Sequence, residues 1–194
     1  MKPIDGYDQA ASLDGSSFPT IPAGGYVCEI KSARSDQSKN GDPMLVIAID
    51  VCEGPQKGFY DKRFTSDKAQ DPNAKWRGVY NQMLYRDGAV SGYFKGLMTA
   101  IERSNTGYHW DWNEAGLRGK KVGFIFREEE YLNQKGETRT ITKPAFPRDI
   151  DTIRKGVEVP EIKRLAQRSA PAYQQPPALN SGFTSVPNDD DLPF

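Results

Sequence analysis

Hydrophobic and polar positions divide the chain into a strongly periodic middle and two ends without period. Tyr26, Cys28 and Ile30 alternate with Val27, Glu29 and Lys31 after Gly24-Gly25, which predicts a strand with one buried face. Lys39-Asn40-Gly41-Asp42 supplies turn chemistry, and Met44 to Cys52 is a nearly unbroken apolar run with a single charge, Asp50, the pattern of a central strand. Glu53 to Gly58 breaks it. Phe59, Asp61 and Arg63 then oppose Tyr60, Lys62 and Phe64, predicting a third strand over residues 59–65 with aromatic and basic side chains on one face. Ser66 to Asp87 is polar and reads as a long loop, a length that compact domains keep chiefly for function.

The second half changes period. Ser91 can cap a helix whose apolar face is Phe94, Leu97, Met98 and Ile101, spaced i, i+3, i+4 and i+7; Asn105-Thr106-Gly107 ends it, and a short capped turn through Leu117 follows. From Lys121 to Glu129, Val122, Phe124 and Phe126 share a face. Asn133-Gln134-Lys135-Gly136 marks a hairpin, and Glu137 to Lys143 returns as the fifth strand. Sparse anchors, Ile150, Ile153, Val157, Ile162 and Leu165, predict a short packed extension with a final helical turn.

Strand, strand, strand, helix, strand, strand is the element order of the oligonucleotide-binding (OB) fold, so the expected class is mainly β: a five-stranded OB-fold-like barrel with one helix between strands 3 and 4. A different small β barrel or an α+β sandwich has the same elements. The expected organisation is an N-terminal arm over residues 1–23, packed along the body without forming its core, a folded domain over 24–168, a linker over 169–188 and an acidic tip over 189–194. The linker holds Pro, Gln, Ser, Ala and Gly and no charged residue, the composition of a disordered tether.

Charge refines the division. The chain carries 26 basic and 26 acidic residues, but the three acids of the tip leave residues 1–168 with 26 basic against 23 acidic groups, a surplus of three. Two cysteines, Cys28 and Cys52, both in apolar runs, are too few for a disulfide framework and point to a reduced, cytoplasmic protein. No stretch has the pattern of a signal peptide or a membrane span.

The tip Asp189-Asp190-Asp191-Leu192-Pro193-Phe194 resembles the C-terminal interaction peptide of bacterial single-stranded-DNA-binding proteins, in which an acidic run ends in Ile/Leu-Pro-Phe behind a low-complexity linker. The body, from Pro22-Ala23-Gly24-Gly25-Tyr26 through Gly58-Phe59-Tyr60 to Tyr93-Phe94-Lys95-Gly96 and Trp110-Asp111-Trp112, is similar to single-stranded-DNA-binding proteins of phages that infect Gram-positive bacteria. The resemblance implies a non-enzymatic protein that covers single-stranded DNA and recruits replication, recombination and repair enzymes through the tip. The N-terminal arm and the loop over 66–87 depart from the main bacterial family, so its stacking residues do not transfer.

The residues themselves offer candidate chemistry. A sequence-tolerant single-strand binder interleaves aromatic rings for stacking with Lys and Arg for phosphates. Tyr60, Lys62, Arg63 and Phe64 do so on the third strand, with core packing an equal alternative for one of the two rings; Lys75, Trp76, Arg77, Tyr80, Tyr85 and Arg86 do so on the loop. Trp76, flanked by two basic residues, is expected to be an exposed stacking platform. Arg127, Tyr131, Lys135 and Arg139 of the distal hairpin either close the groove or form a solvated turn. His109 with Asp111 and Glu114 sketches a metal site, against which a packed loop around Trp110 and Trp112 is the better expectation; no metal or cofactor is expected. A protein adaptor that never touches DNA and a metal-dependent nuclease are the alternatives, and self-association into a homo-oligomer is left open.

Overall fold

The structure is a computed structural model that describes residues 20–165. Most of the N-terminal arm, the linker and the tip lie outside the described residues. Among those described, no helix is long and apolar enough to cross a membrane.

Five antiparallel strands form one sheet in the order β3-β2-β1-β6-β7. At its centre is β1 (Gly24–Gln37), longer than its alternating segment, with a bulge between Ile30 and Ser32. On one side, β2 (Pro43–Val51) pairs with β1 through Ile30↔Ile49. The long apolar run is thus an interior strand, one place from the centre. Its Leu45, Val46, Ile47, Ile49 and Val51 are all buried.

Residues 59–65 are not a strand. They begin α1 (Phe59–Gln70), a correction with a physical cause in Asp50. Gly54 and Gly58 take left-handed backbone (φ 78° and 73°), turning the chain back over β2. The Asp50 carboxylate, buried on β2, accepts hydrogen bonds from the backbone N–H of Val51 and of Tyr60, both at 2.9 Å, and so satisfies a donor that the first turn of α1 leaves open. Tyr60 and Phe64 fall four apart on one helix face rather than opposite Arg63 on a strand.

The expected loop over 66–87 also contains structure. After α1, residues 71–78 lead to the edge strand β3 (Val79–Met83), which pairs with β2 through Ile47↔Tyr80. A small hairpin follows, β4 (Tyr85–Arg86) and β5 (Ala89–Val90), turned by Asp87 (φ 52°) and Gly88 (φ 79°). Next comes α2 (Gly92–Ser104), where Phe94, Leu97, Met98 and Ile101 are buried as expected; Ser91 is its N-cap residue, but its hydroxyl makes no capping hydrogen bond.

A short 3-10 helix over Glu114–Leu117 leads to β6 (Lys121–Leu132) and β7 (Thr138–Arg148), the hairpin legible in the sequence. β6 pairs with β1 through Tyr26↔Phe124. α3 (Ile150–Arg154) and the residues that follow it close on the far face of the sheet, where Gly25 and Gly123 give them room: a Cβ on Gly25 would come within 2.6 Å of Val157, and one on Gly123 would collide with Ile153 of α3.

The core lies between the sheet and α2 and includes Ile30, Ile47, Ile49, Phe124, Phe126, Leu97 and Ile101. Ile21, assigned by sequence to a peripheral arm, is buried within it. Cys28 and Cys52 are free thiols. The edge strands β3 and β7 share no ladder, so the expected barrel is present only as five antiparallel strands in an open sheet.

Candidate nucleic-acid interface

The two sheet edges and the outer face of α2 enclose a groove of about 1130 Å³. β3 contributes Tyr80 and Gln82, β4 contributes Arg86, and β7 contributes Ala145 to Arg148. On α2, Gly92, Gly96 and Ala100 recur every four residues along the groove wall, and this stripe of small side chains keeps it wide. Six cations line it, Arg86, Lys95, Arg103, Arg127, Arg148 and Lys163, against one acid, Asp149. Asp149 is occupied: it caps α3, accepting from the Thr152 N–H at 2.9 Å and the Thr152 hydroxyl at 2.8 Å, which hold its carboxyl below the usual range.

Three rings sit among these charges. Tyr93 is 61% exposed, with the Arg86 guanidinium 5.6 Å from its ring centroid. Phe146 carries Arg127 at 5.2 Å. Tyr80 is half-buried against Phe124 and donates from its hydroxyl to Gln82 Oε1 at 2.9 Å; burial pushes its own pKa up to about 12, so it stays a neutral donor at physiological pH. Stacking surface and positive charge therefore share one concave surface, the combination that unpaired nucleotides require.

Of the residues singled out by sequence, Tyr80, Arg86 and Arg127 meet here. The rest lie elsewhere. Tyr60 is a core residue, stacked 6.5 Å from Phe126, and burial drives its pKa upward. Trp76 is half-buried rather than exposed: its indole N–H donates to the carbonyls of Ile49 (3.1 Å) and Gly78 (3.2 Å), and Phe64 packs against it at 5.4 Å. That fixes the loop to β2 and leaves the ring half-buried where an exposed platform was expected. Arg77 pairs with Asp67 at 2.7 Å, and Arg63 approaches the same carboxylate at 3.8 Å. Lys62 and Lys75 are exposed on this α1 side. Arg139 is at the hairpin end, paired with Glu137 at 2.9 Å. Asp189, Asp190, Asp191, Leu192, Pro193 and Phe194 lie outside the described residues.

Sequence reasoning missed Tyr93, Lys95, Arg103, Phe146, Arg148 and Lys163. Tyr93, Lys95 and Arg103 had a usable signal: all three fall on the face of α2 that its apolar stripe leaves uncovered. The others arrive from distant segments. His109 is almost fully exposed and pairs with Glu102 at 2.8 Å, whereas Glu114 accepts from the Ser35 hydroxyl, so the sketched triad does not converge. Among the described residues no group of three or more His, Cys, Asp or Glu side chains is placed to hold a metal ion. In the loop they share, Trp110 is half-buried, but Trp112 is 75% exposed with left-handed backbone (φ 65°), so the loop is packed only in part.

A family model described as a protein of unknown function (DUF669) matches residues 7–89. That stretch contains β1 to β4 and α1 and stops before α2. No curated protein matches the chain.

Proposed function

We propose that this protein binds single-stranded DNA without sequence preference, holding the strand in the groove between α2, the β4–β5 hairpin and β7, and that it acts without catalysis in a phage replication or recombination system. The observation that carries this is the groove lining: six cations and three aromatic rings against one acid that is already engaged. Rings stack on bases of any identity while cations meet phosphates, so affinity needs no base-specific contact. The strand connectivity agrees: β1, β2 and β3 form a meander, β1 also pairs with β6, β6 pairs with β7, and α2 intervenes between β3 and β6, as in an oligonucleotide-binding fold whose last closure is left open.

The tip over residues 189–194 supplies the second half of the proposal. Its acids and terminal Phe194 suit a partner pocket with an apolar floor and a basic rim, through which replication, recombination and repair enzymes are recruited. Bound DNA frees the tip by occupying the basic groove, so removing residues 189–194 is expected to preserve or tighten DNA binding and to abolish partner capture.

Fluorescence titration of oligo-dT and of a duplex of equal length, each at two salt concentrations, tests the first half. Single strands are expected to bind preferentially, and if all six cations engage, log K against log salt has a slope of about −4, at roughly −0.7 per phosphate. Equal affinity for the duplex, or no salt dependence, refutes it.

A further inference from the structure

The groove's positive charge is partly spent inside the protein. At one end the Arg127 guanidinium meets a Glu129 carboxylate oxygen at 2.9 Å, with Lys163 Nζ at 3.8 Å and Lys143 Nζ at 4.0 Å from the same carboxylate. The Glu129 side chain is 21% exposed. Burial pushes its carboxyl upward, but the Arg127 hydrogen bond and the charges of Lys163 and Lys143 outweigh it and hold the group below the usual range. Two of these three cations, Arg127 and Lys163, line the groove.

Lys163 is held there by main-chain geometry. β1 pairs with β6 only as far as Phe126, so the edge of β6 beyond that point is open to another strand. The segment around Lys163 runs parallel along it: Lys163 N donates to the Glu128 carbonyl, and Glu130 N donates to the Lys163 carbonyl, each at 2.9 Å. Leu165 N then donates to the Glu130 carboxylate at 3.1 Å. The segment over residues 163–165 is thus tied to the same strand that carries Arg127 and Glu129.

We propose that Arg127 and Lys163 form a phosphodiester subsite at this end of the groove and that Glu129 occupies it as an internal anion until a strand enters. The subsite rests on the groove being the nucleic-acid site. A phosphodiester presents one negative charge and two non-bridging oxygens, a close match in charge and geometry to a carboxylate, and a guanidinium recognises both with the same planar fork. Arg127 is not saturated by Glu129: its buried Nε–H has no hydrogen-bond partner among the described residues. An entering phosphate competes with the carboxylate for both cations, so Glu129 lowers affinity for any polyanion and raises the proportion of binding that must come from ring stacking.

The test is Glu129→Gln in the full chain, titrated with labelled oligo-dT over a range of salt. Glu128→Gln is the control, because Glu128 is the adjacent residue on β6, points to the opposite face, is exposed and makes no ion pair among the described residues. Glu129→Gln is expected to bind about fivefold more tightly, with a salt slope steeper by roughly 0.7 to 1.4, because the phosphate contacts of Arg127 and Lys163 then release counterions instead of displacing an internal carboxylate. Glu128→Gln is expected to change little, and adding Lys163→Ala to Glu129→Gln is expected to remove much of the gain. Unchanged or weaker binding by a folded Glu129→Gln variant, or equal tightening by both single variants, overturns the subsite while leaving the groove assignment intact. Failure of the unmodified chain and every variant to bind overturns both.

Discussion

Gly96 offers a perturbation whose effects on stability and on binding have opposite signs. It lies inside α2, on the wall of the groove, and a Cβ added there would meet no heavy atom within 4 Å. Glycine inside an exposed helix surface is about 1 kcal/mol less favourable than alanine, because it loses more backbone freedom on folding and contributes no side chain. Gly96→Ala is therefore expected to stabilise the fold by about 1 kcal/mol, which for a chain of this size raises Tm by roughly 2–4 °C. Gly96→Glu keeps part of that gain, roughly 0.5 kcal/mol, since glutamate is also a good helix former. It also places a carboxylate among the six groove cations, where it repels phosphate and fills the space a base would take. Its affinity for oligo-dT is expected to fall by about tenfold, on the scale of one lost charge-assisted contact. Thermal melting by circular dichroism and a fluorescence titration on the same samples read the two effects separately. A destabilised Gly96→Ala would show that the wall is packed rather than open. Unchanged binding by a more stable Gly96→Glu would show that the strand runs elsewhere.

Two other substitutions examine how α1 and its loop are held. Asp50→Ala leaves the buried N–H groups of Val51 and Tyr60 without an acceptor and is expected to cost about 1–3 kcal/mol in urea unfolding, whereas Asp50→Asn keeps the acceptor oxygen and costs much less. Burial raises the Asp50 pKa above its ordinary value despite the two backbone hydrogen bonds, so its titration favours the fold below the ordinary carboxylate range and that contribution is lost as pH rises through the folded value. Asp50→Asn is accordingly expected to compare better with the unmodified protein at pH 7 than at pH 4, and the reverse order refutes the assigned cause. Trp76→Phe removes the indole donor to Ile49 and Gly78 and is expected to cost about 1 kcal/mol while leaving oligo-dT affinity unchanged; a large loss of affinity in a folded variant would return Trp76 to the binding surface.

Much of the sheet is legible in the chain because its signals are local. The alternation around Phe124 and the Asn133–Gly136 turn specify the β6–β7 hairpin, and the i, i+3, i+4 spacing from Phe94 specifies α2 without reference to the rest of the molecule. α1 is different. Phe59-Tyr60-Asp61-Lys62-Arg63-Phe64 satisfies a two-residue period and a four-residue period equally, and the deciding group, the Asp50 carboxylate beneath its first turn, belongs to another element. β3 has no apolar run because it is an edge strand whose buried Gln82 is a hydrogen-bond partner of Tyr80. The Asp87-Gly88 turn was readable, being one of the strongest short hairpin signals.

The groove was less legible for a similar reason. Basic and aromatic residues interleave locally at 60–64 and 75–77, yet there Tyr60 and Trp76 pack against the core and Arg63 and Arg77 approach Asp67. The concave surface instead gathers Arg86, Arg103, Arg127, Arg148 and Lys163 from five separate elements, brought together by strand order and by the parallel run of the C-terminal segment along β6. No spacing rule along the chain encodes that convergence.

Ultraviolet cross-linking of the full chain to oligo-dT, followed by mass spectrometric mapping of the modified peptides, separates the groove from the rest of the surface. Adducts on Tyr93, Tyr80 and Phe146 are expected, and excess unlabelled oligo-dT should suppress them. Adducts confined to Phe64 and Trp76, or to the distal hairpin around Tyr131, would contradict a strand held between α2 and β7.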